Sequence, residues 1–169
     1  YIAIGVIFVL AVLLLIFRAI VIIRNPSVQL PDLANAEIEK RGDNHYILEG
    51  NWFRRNEHGV WELYVKGNAI ERGVATGRLA KEQIDLIEES FFTQIKKIIP
   101  SLGYLKVLKI VIAWFNRNIE KHITQEFREE IYGISKYVSC KYEFIAKPYQ
   151  RYLNYHAAHD IGHVLENMQ

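Results

Sequence analysis

Apolar residues follow three patterns along this chain, and each pattern predicts a different kind of element. Residues 1–23 are apolar apart from Arg18, which indicates a helix that is apolar on every face. Between 60 and 66, apolar and polar side chains alternate, as in a strand with one buried face. After this strand, apolar residues recur at helical spacing in segments bounded by Pro100 and Pro148. The patterns predict a mostly helical α+β domain that follows one long apolar helix.

The N-terminal segment has the length and composition of a membrane-spanning helix. A bilayer core of about 30 Å requires about 20 apolar residues in a helix. A cleaved signal peptide is the alternative, but its apolar core would be shorter, about 7–15 residues, and no clear cleavage pattern precedes Pro26. We therefore predict a retained transmembrane anchor over residues 1–24. A linker over residues 25–44 and a domain over residues 45–169 follow.

The charge balance argues against nucleic acid as a partner. The whole chain carries a formal charge of +2. Arg18 and Arg24 belong to the N-terminal segment, which leaves 19 basic and 19 acidic residues in the rest of the chain. No basic stripe with interleaved aromatic residues is present in the sequence. The single cysteine, Cys140, cannot form an internal disulfide.

The domain is predicted to begin with a hairpin and to continue as helices. The hairpin combines Tyr46–Leu48, the segment near Trp52 and Val60–Lys66. The predicted helices are Ala69 to about Ile99, Leu102–Ile119, Thr124–Tyr137 and Tyr149–Gln169, with a loop at Ser139–Lys147. The helix that starts at Leu102 is unusually apolar. We interpret it as a core helix, and a surface that lies against lipid is the alternative.

Two glycines in the first of these helices predict a close helix contact. Gly73 and Gly77 are four residues apart and share one face. Each glycine costs about 1 kcal/mol in a helix interior, so a pair on one stripe indicates that another backbone approaches there. The alternative is that the glycines lie by chance in a frayed first turn.

The last predicted helix carries a cluster of titratable groups. His156, His159, Asp160 and His163 are spaced so that they share one face. The spacing of His159 and His163 fits a zinc pair, but the glutamate base of a metalloprotease is missing. The sequence HDIGH also resembles the core of HD-type metal-dependent phosphohydrolases, which would need His122 as a further ligand and a later aspartate. We favour a third interpretation, in which these residues line a pocket or an interface without a metal.

Three stretches taken together resemble the penicillin acyltransferase-like family of autoproteolytic acyltransferases and amidases, which are N-terminal nucleophile hydrolases. The stretches are Gly50–Leu79, Glu129–Tyr137 and Tyr149–Met168. The family hallmark is a glycine, a Glu-Arg-Gly sequence and a further glycine four residues later. In this chain the hallmark residues are Gly67, Glu71, Arg72, Gly73 and Gly77. The resemblance covers roughly residues 50–169.

The resemblance implies that this chain is the α chain of a self-cleaving precursor. Its fold would be the α-chain portion of an αββα sandwich, with a β chain from the same precursor as partner in a heterodimer. The nucleophile would be a cysteine just beyond Gln169, at the start of the β chain, so no catalytic residue is expected in this chain. Cys140 follows Ser139 rather than glycine and does not match. The histidine helix would position the scissile bond and line the pocket, and no cofactor is implied.

The family also implies a substrate class and a location. Its members act on N-acyl amides, usually outside the cytoplasm, so we expect the domain on the periplasmic side of a bacterial inner membrane. Arg18 and Arg24 alone would favour the opposite orientation. The anchor and the apolar helix suggest a lipid-like substrate and contact with membrane lipid. The alternatives are a non-catalytic membrane-anchored subunit of a larger complex and an HD-type phosphohydrolase.

Overall fold

The computed structural model describes residues 1–156, without the side chains of residues 98 and 102. Helices and one antiparallel sheet make up the described chain, so the predicted α+β class is confirmed. The helices are α1 (Ile2–Val21), α2 (Ala69–Leu79), α3 (Lys81–Ile98), α4 (Leu102–Phe115), α5 (Gln125–Ser135) and α6 (residues 148–156). The strands are β1 (Glu39–Lys40), β2 (His45–Leu48), β3 (Asn51–Arg55) and β4 (Trp61–Tyr64). The αββα sandwich stays a prediction.

The sheet is a four-stranded meander in the order β1-β2-β3-β4, which extends the predicted hairpin by one strand. The turn from β2 to β3 consists of Glu49 and Gly50, both with positive φ, as a two-residue turn of type I′ requires. One face of the sheet buries Leu48 and Phe53 against Leu79 at the C-terminal end of α2. The sheet therefore covers one end of α2.

The prediction of one long helix over residues 69–99 is wrong in one respect: the helix is interrupted at Ala80. The backbone of Ala80 has φ −100° and ψ 18°, outside the helical region. Leu79 and Ala80 are both buried in the cluster beneath the sheet. The break ends α2 against the sheet, and α3 begins at Lys81 as a separate helix.

The segment predicted as a linker packs against the domain instead of extending away from it. The Arg78 guanidinium donates a hydrogen bond of 2.6 Å to the carbonyl of Leu33. Leu33, Ala36 and Ile38 contact the cluster beneath the sheet. Residues 25–44 thus form a strap along the domain.

The C-terminal end of α1 is part of the domain core. Ile23, just beyond α1, is buried with Ile70 and Leu153. The side-chain amide of Gln150 donates to the carbonyl of Val21 at 3.0 Å. By length and composition α1 could cross a membrane, with a mean hydropathy of 3.0, and a signal sequence would meet the same criterion.

The interpretation of the apolar helix α4 as a core helix is wrong. No described side chain of α4 is buried. One side of α4 faces α3 across a cavity. On the other side the apolar side chains are largely exposed, and among them Trp114 stacks on Phe17 of α1.

Candidate functional site

The described parts of the three stretches that carry the family resemblance meet in space. Helices α2 and α5 cross closely, and α6 adds Tyr149 and Leu153 to the core at this crossing. A side chain on Gly73 would collide with the backbone carbonyl of Glu130. In return, a Cβ on Gly133 would lie 2.7 Å from the backbone nitrogen of Val74. The predicted close approach of a second backbone is confirmed, and the partner is α5.

The charged residues of the motif fix the start of α2 and attach it to α5. Glu71 and Asn68 form a reciprocal capping box, in which each side chain accepts from the other residue's backbone nitrogen. Arg72 forms ion pairs of 2.8 Å with Glu130 and 2.7 Å with Glu126, both on α5. It also donates to the carbonyl of Gly67, whose φ of +105° favours glycine. In this chain the motif holds two helices together.

A buried ion pair links α3 to α6, and the sequence analysis missed it. Arg151 donates to Glu88 through Nε at 2.6 Å and through Nη2 at 3.3 Å, and both side chains are 1% exposed. The hydroxyl of Tyr155 donates to the same carboxylate at 2.9 Å. Arg151 also donates to the carbonyls of Ser139 and Ala146. Charges buried this deeply persist only when paired and hydrogen-bonded.

An apolar cavity of about 640 Å³ lies between α3, α4 and α6. We call it the α3–α4 cavity. Its walls are mainly aliphatic and aromatic, and they include Phe92 from α3 and Leu108 and Ile112 from α4. Asn116 and Asn154, joined by a hydrogen bond of 3.0 Å, supply a polar edge. This volume falls in the range of about 300–1,000 Å³ that is usual for small-molecule sites.

A second pocket contains one of the predicted histidines. Its volume is about 440 Å³, and it is lined by His156, His122 and Glu130 together with apolar side chains of α5. The structure thus brings together the first residue of the histidine cluster and the extra ligand of the phosphohydrolase alternative. His159, Asp160 and His163 lie outside the described residues. Within residues 1–156, no group of three His, Cys, Asp or Glu side chains is arranged to hold a metal ion.

Cys140 is an exposed residue in a short 3₁₀ turn, Cys140–Tyr142. A hydrogen bond to Glu143, together with that carboxylate's charge, raises the pKa of the Cys140 thiol. A raised pKa reduces the thiolate fraction and with it the nucleophilicity. Its position and chemistry are therefore unlike those of an activated nucleophile.

Three tyrosines of α6 have raised pKa values. Burial, followed by the charge of Glu88, raises the pKa of Tyr152 and of Tyr155. Burial, followed by the charge of Glu120, raises the pKa of Tyr149 from 10.0 to about 12. A phenol whose folded pKa exceeds its unfolded pKa contributes stability that is complete below the unfolded pKa and is lost as pH rises towards the folded pKa.

We expect the free energy of unfolding to fall between about pH 10 and pH 12, and Tyr149→Phe to make this fall shallower. The reason is that the unfolded chain releases the Tyr149 proton in this range while the folded chain retains it. Urea titrations monitored by circular dichroism, repeated at several pH values, measure the slope. Tyr104→Phe, on the exposed side of α4, is the control for removing a hydroxyl. Identical slopes in wild type and Tyr149→Phe would contradict the assignment.

No family model, no curated protein and no solved structure matches this chain.

Proposed function

We propose that this chain is the α chain of a self-cleaving cysteine amidase or acyltransferase that acts on N-acyl amides or similar lipid-like substrates near the membrane. The α3–α4 cavity carries this proposal. It lies between α3 and α4, is apolar in most of its walls, and is adjacent to α6, which begins one of the three stretches that resemble the family. An acyl chain is the ligand that such walls accept.

The proposed chemistry uses an N-terminal cysteine of the β chain. Its α-amino group, with an ordinary pKa of about 8, accepts the thiol proton. The thiolate sulfur attacks the amide carbonyl, the C–N bond breaks, and the amine leaves with a proton. Water or an acceptor amine then cleaves the thioester and releases the acyl group. The role of the α chain is to bind the acyl chain and to orient the carbonyl.

Contacts at the end of α1 support a retained anchor. Ile23 is buried in the core, Gln150 holds the carbonyl of Val21, and Phe17 stacks on Trp114 of α4. Removal of the helix as a signal peptide would delete part of this packing. We propose a single-pass protein of a bacterial inner membrane with the domain on the periplasmic side.

The test is covalent labelling of the native protein, purified from its own membranes, with two alkyl β-lactones. A β-lactone acylates a reactive thiol by ring opening, and one probe carries a long alkyl chain while the other carries a short one. We expect both probes to label a cysteine at the N-terminus of a second polypeptide. Leu108→Trp fills the α3–α4 cavity, so it is expected to slow labelling by the long probe about tenfold, a loss of about 1.4 kcal/mol, and to spare the short probe.

Val107→Trp is the matched control, because Val107 lies on the exposed side of the same helix. It adds the same side chain without filling the cavity, and labelling by both probes is expected to stay unchanged. Failure of both probes to label any thiol, or labelling confined to Cys140, would contradict the enzymatic proposal. Equal slowing of both probes by Leu108→Trp would contradict the assignment of the cavity to the acyl chain.

A further inference from the structure

Six apolar side chains form a continuous exposed stripe on α4, which we call the α4 stripe. Each is at least 42% exposed. They are Tyr104, Val107, Ile110, Val111, Trp114 and Phe115. Their spacing places them along one side of the helix, opposite the wall of the α3–α4 cavity. We infer that the α4 stripe lies in the interface of an anionic lipid bilayer, beside the point where α1 leaves the membrane.

The position of α1 sets the depth of the α4 stripe. The rings of Phe17 and Trp114 stack with their centroids 6.1 Å apart. Phe17 is four residues from the end of α1 at Val21, which corresponds to about 6 Å along the helix. Helices that lie in a membrane interface bury their apolar side by about 5–10 Å. If α1 spans the bilayer, Trp114 is held at the depth of an interfacial helix.

The polar groups around the stripe suit the same location. The Arg117 guanidinium lies 4.2 Å from the centroid of the Trp114 ring and donates to the Trp114 carbonyl at 2.6 Å. Tryptophan and tyrosine concentrate at membrane interfaces because one end of each side chain is apolar and the other is polar. Trp114 and Tyr104, near opposite ends of α4, have this chemistry.

The distribution of charged residues around α4 favours an anionic membrane. Residues 96–121 hold six basic side chains and one acidic side chain. They are Lys96, Lys97, Lys106, Lys109, Arg117 and Lys121, against Glu120. The remainder of residues 25–169 has 13 basic and 18 acidic side chains. Lys106 and Lys109 line the cavity on the other side of α4, and Lys109 donates to the carbonyl of Phe144. Arg117, which lies over the Trp114 ring, is the basic side chain that the structure places at the stripe. Anionic headgroups attract such a cation and the basic region around it. A second copy of the chain on the stripe would instead bring two basic regions together.

The experiment measures the depth of Trp114 in the full chain, reconstituted in vesicles of phosphatidylcholine and phosphatidylglycerol. Trp52→Phe combined with Trp61→Phe leaves Trp114 as the fluorophore. Lipids brominated on their acyl chains quench a tryptophan that touches them. We expect Trp114 to lose most of its emission in brominated lipids, and to lose less when phosphatidylglycerol is omitted.

A second combination, Trp52→Phe with Trp114→Phe, leaves Trp61 as the control. Trp61 packs on the cluster around Leu79, about 14 Å along α2 from Ile70, where the end of α1 is anchored. We expect brominated lipids to leave its emission unchanged. Circular dichroism verifies that both variants keep the wild-type helix content.

Three results would overturn the inference. Quenching of Trp114 by aqueous acrylamide but not by brominated lipid would place the stripe in water. Protection from both quenchers would place a protein on it. Equal lipid quenching with and without phosphatidylglycerol would show that anionic headgroups do not contribute to the binding. The inference depends on α1 spanning the membrane and is independent of the proposed enzymatic activity.

Discussion

Replacing Gly73 with alanine is expected to lower the free energy of unfolding by about 3 kcal/mol, the upper part of the usual range for overpacking. The added methyl group would collide with the carbonyl of Glu130, which belongs to the backbone of α5. A side chain could change its rotamer to make room, whereas two helix backbones have to move apart. Such a movement would also strain the ion pair between Arg72 and Glu130. Urea titration of the full chain in detergent micelles measures the loss.

Gly103→Ala is the matched control for this substitution. Gly103 also lies in a helix, but the nearest atom to its added methyl is the Ser101 hydroxyl oxygen at 3.5 Å, an ordinary contact. Alanine there is expected to stabilise the chain by up to about 1 kcal/mol through its higher helix propensity. Equal effects of Gly73→Ala and Gly103→Ala would contradict the close crossing of α2 and α5.

Arg151→Met is expected to lower the free energy of unfolding by about 3–5 kcal/mol, the cost of leaving one buried charge without its partner. The variant keeps the Glu88 carboxylate buried. Among residues 1–156, the Tyr155 hydroxyl is then the side-chain donor that still bonds to this carboxylate. It also removes the hydrogen bond to the Ser139 carbonyl. The same urea titration applies.

The double variant Glu88→Met with Arg151→Met separates the buried charge from the lost packing. No ion remains at the site, so the double variant is expected to be more stable than either single variant. It is still expected to be less stable than the wild type, because the Tyr155 hydroxyl and the Ser139 carbonyl lose partners. If the two single losses simply add in the double variant, the two side chains are not coupled.

The glycine pair was predictable because its signal is local. Two glycines on one helical face cost stability unless something requires them, so Gly73 and Gly77 indicated a close contact from the sequence alone. The identity of the partner was not predictable. Gly133 lies 60 residues further along the chain, and no local pattern pairs it with α2.

The buried face of α3 shows where periodicity fails. Ile84, Ile87, Phe91 and Ile95 follow helical spacing, which by itself would place all four on one buried face. In the structure Ile87 is 69% exposed, while Glu88 and Phe92, one position further on, are buried. Both stripes satisfy a helical period equally well. The choice depends on Arg151, which neutralises Glu88 from a helix far away in the sequence.

Composition was also a poor guide to the environment of α4. A strongly apolar helix with two lysines inside it resembles a core helix in sequence, and burial depends on which neighbours reach it. The α3–α4 cavity was equally hidden, because α3, α4 and α6 each contribute only a few of its side chains. The contact between Phe17 of α1 and Trp114 of α4 was not predictable either, because it joins residues that are far apart in the sequence.

The joint between α1 and the domain has a mechanical consequence. Ile23 is buried in the core and Gln150 donates to the carbonyl of Val21, so packing and a hydrogen bond, in addition to the chain itself, join α1 to the domain. A spanning helix leans further over in a thinner bilayer. If α1 spans a membrane, such a tilt would turn the domain with it, so membrane thickness would set the orientation of the α3–α4 cavity relative to the lipid.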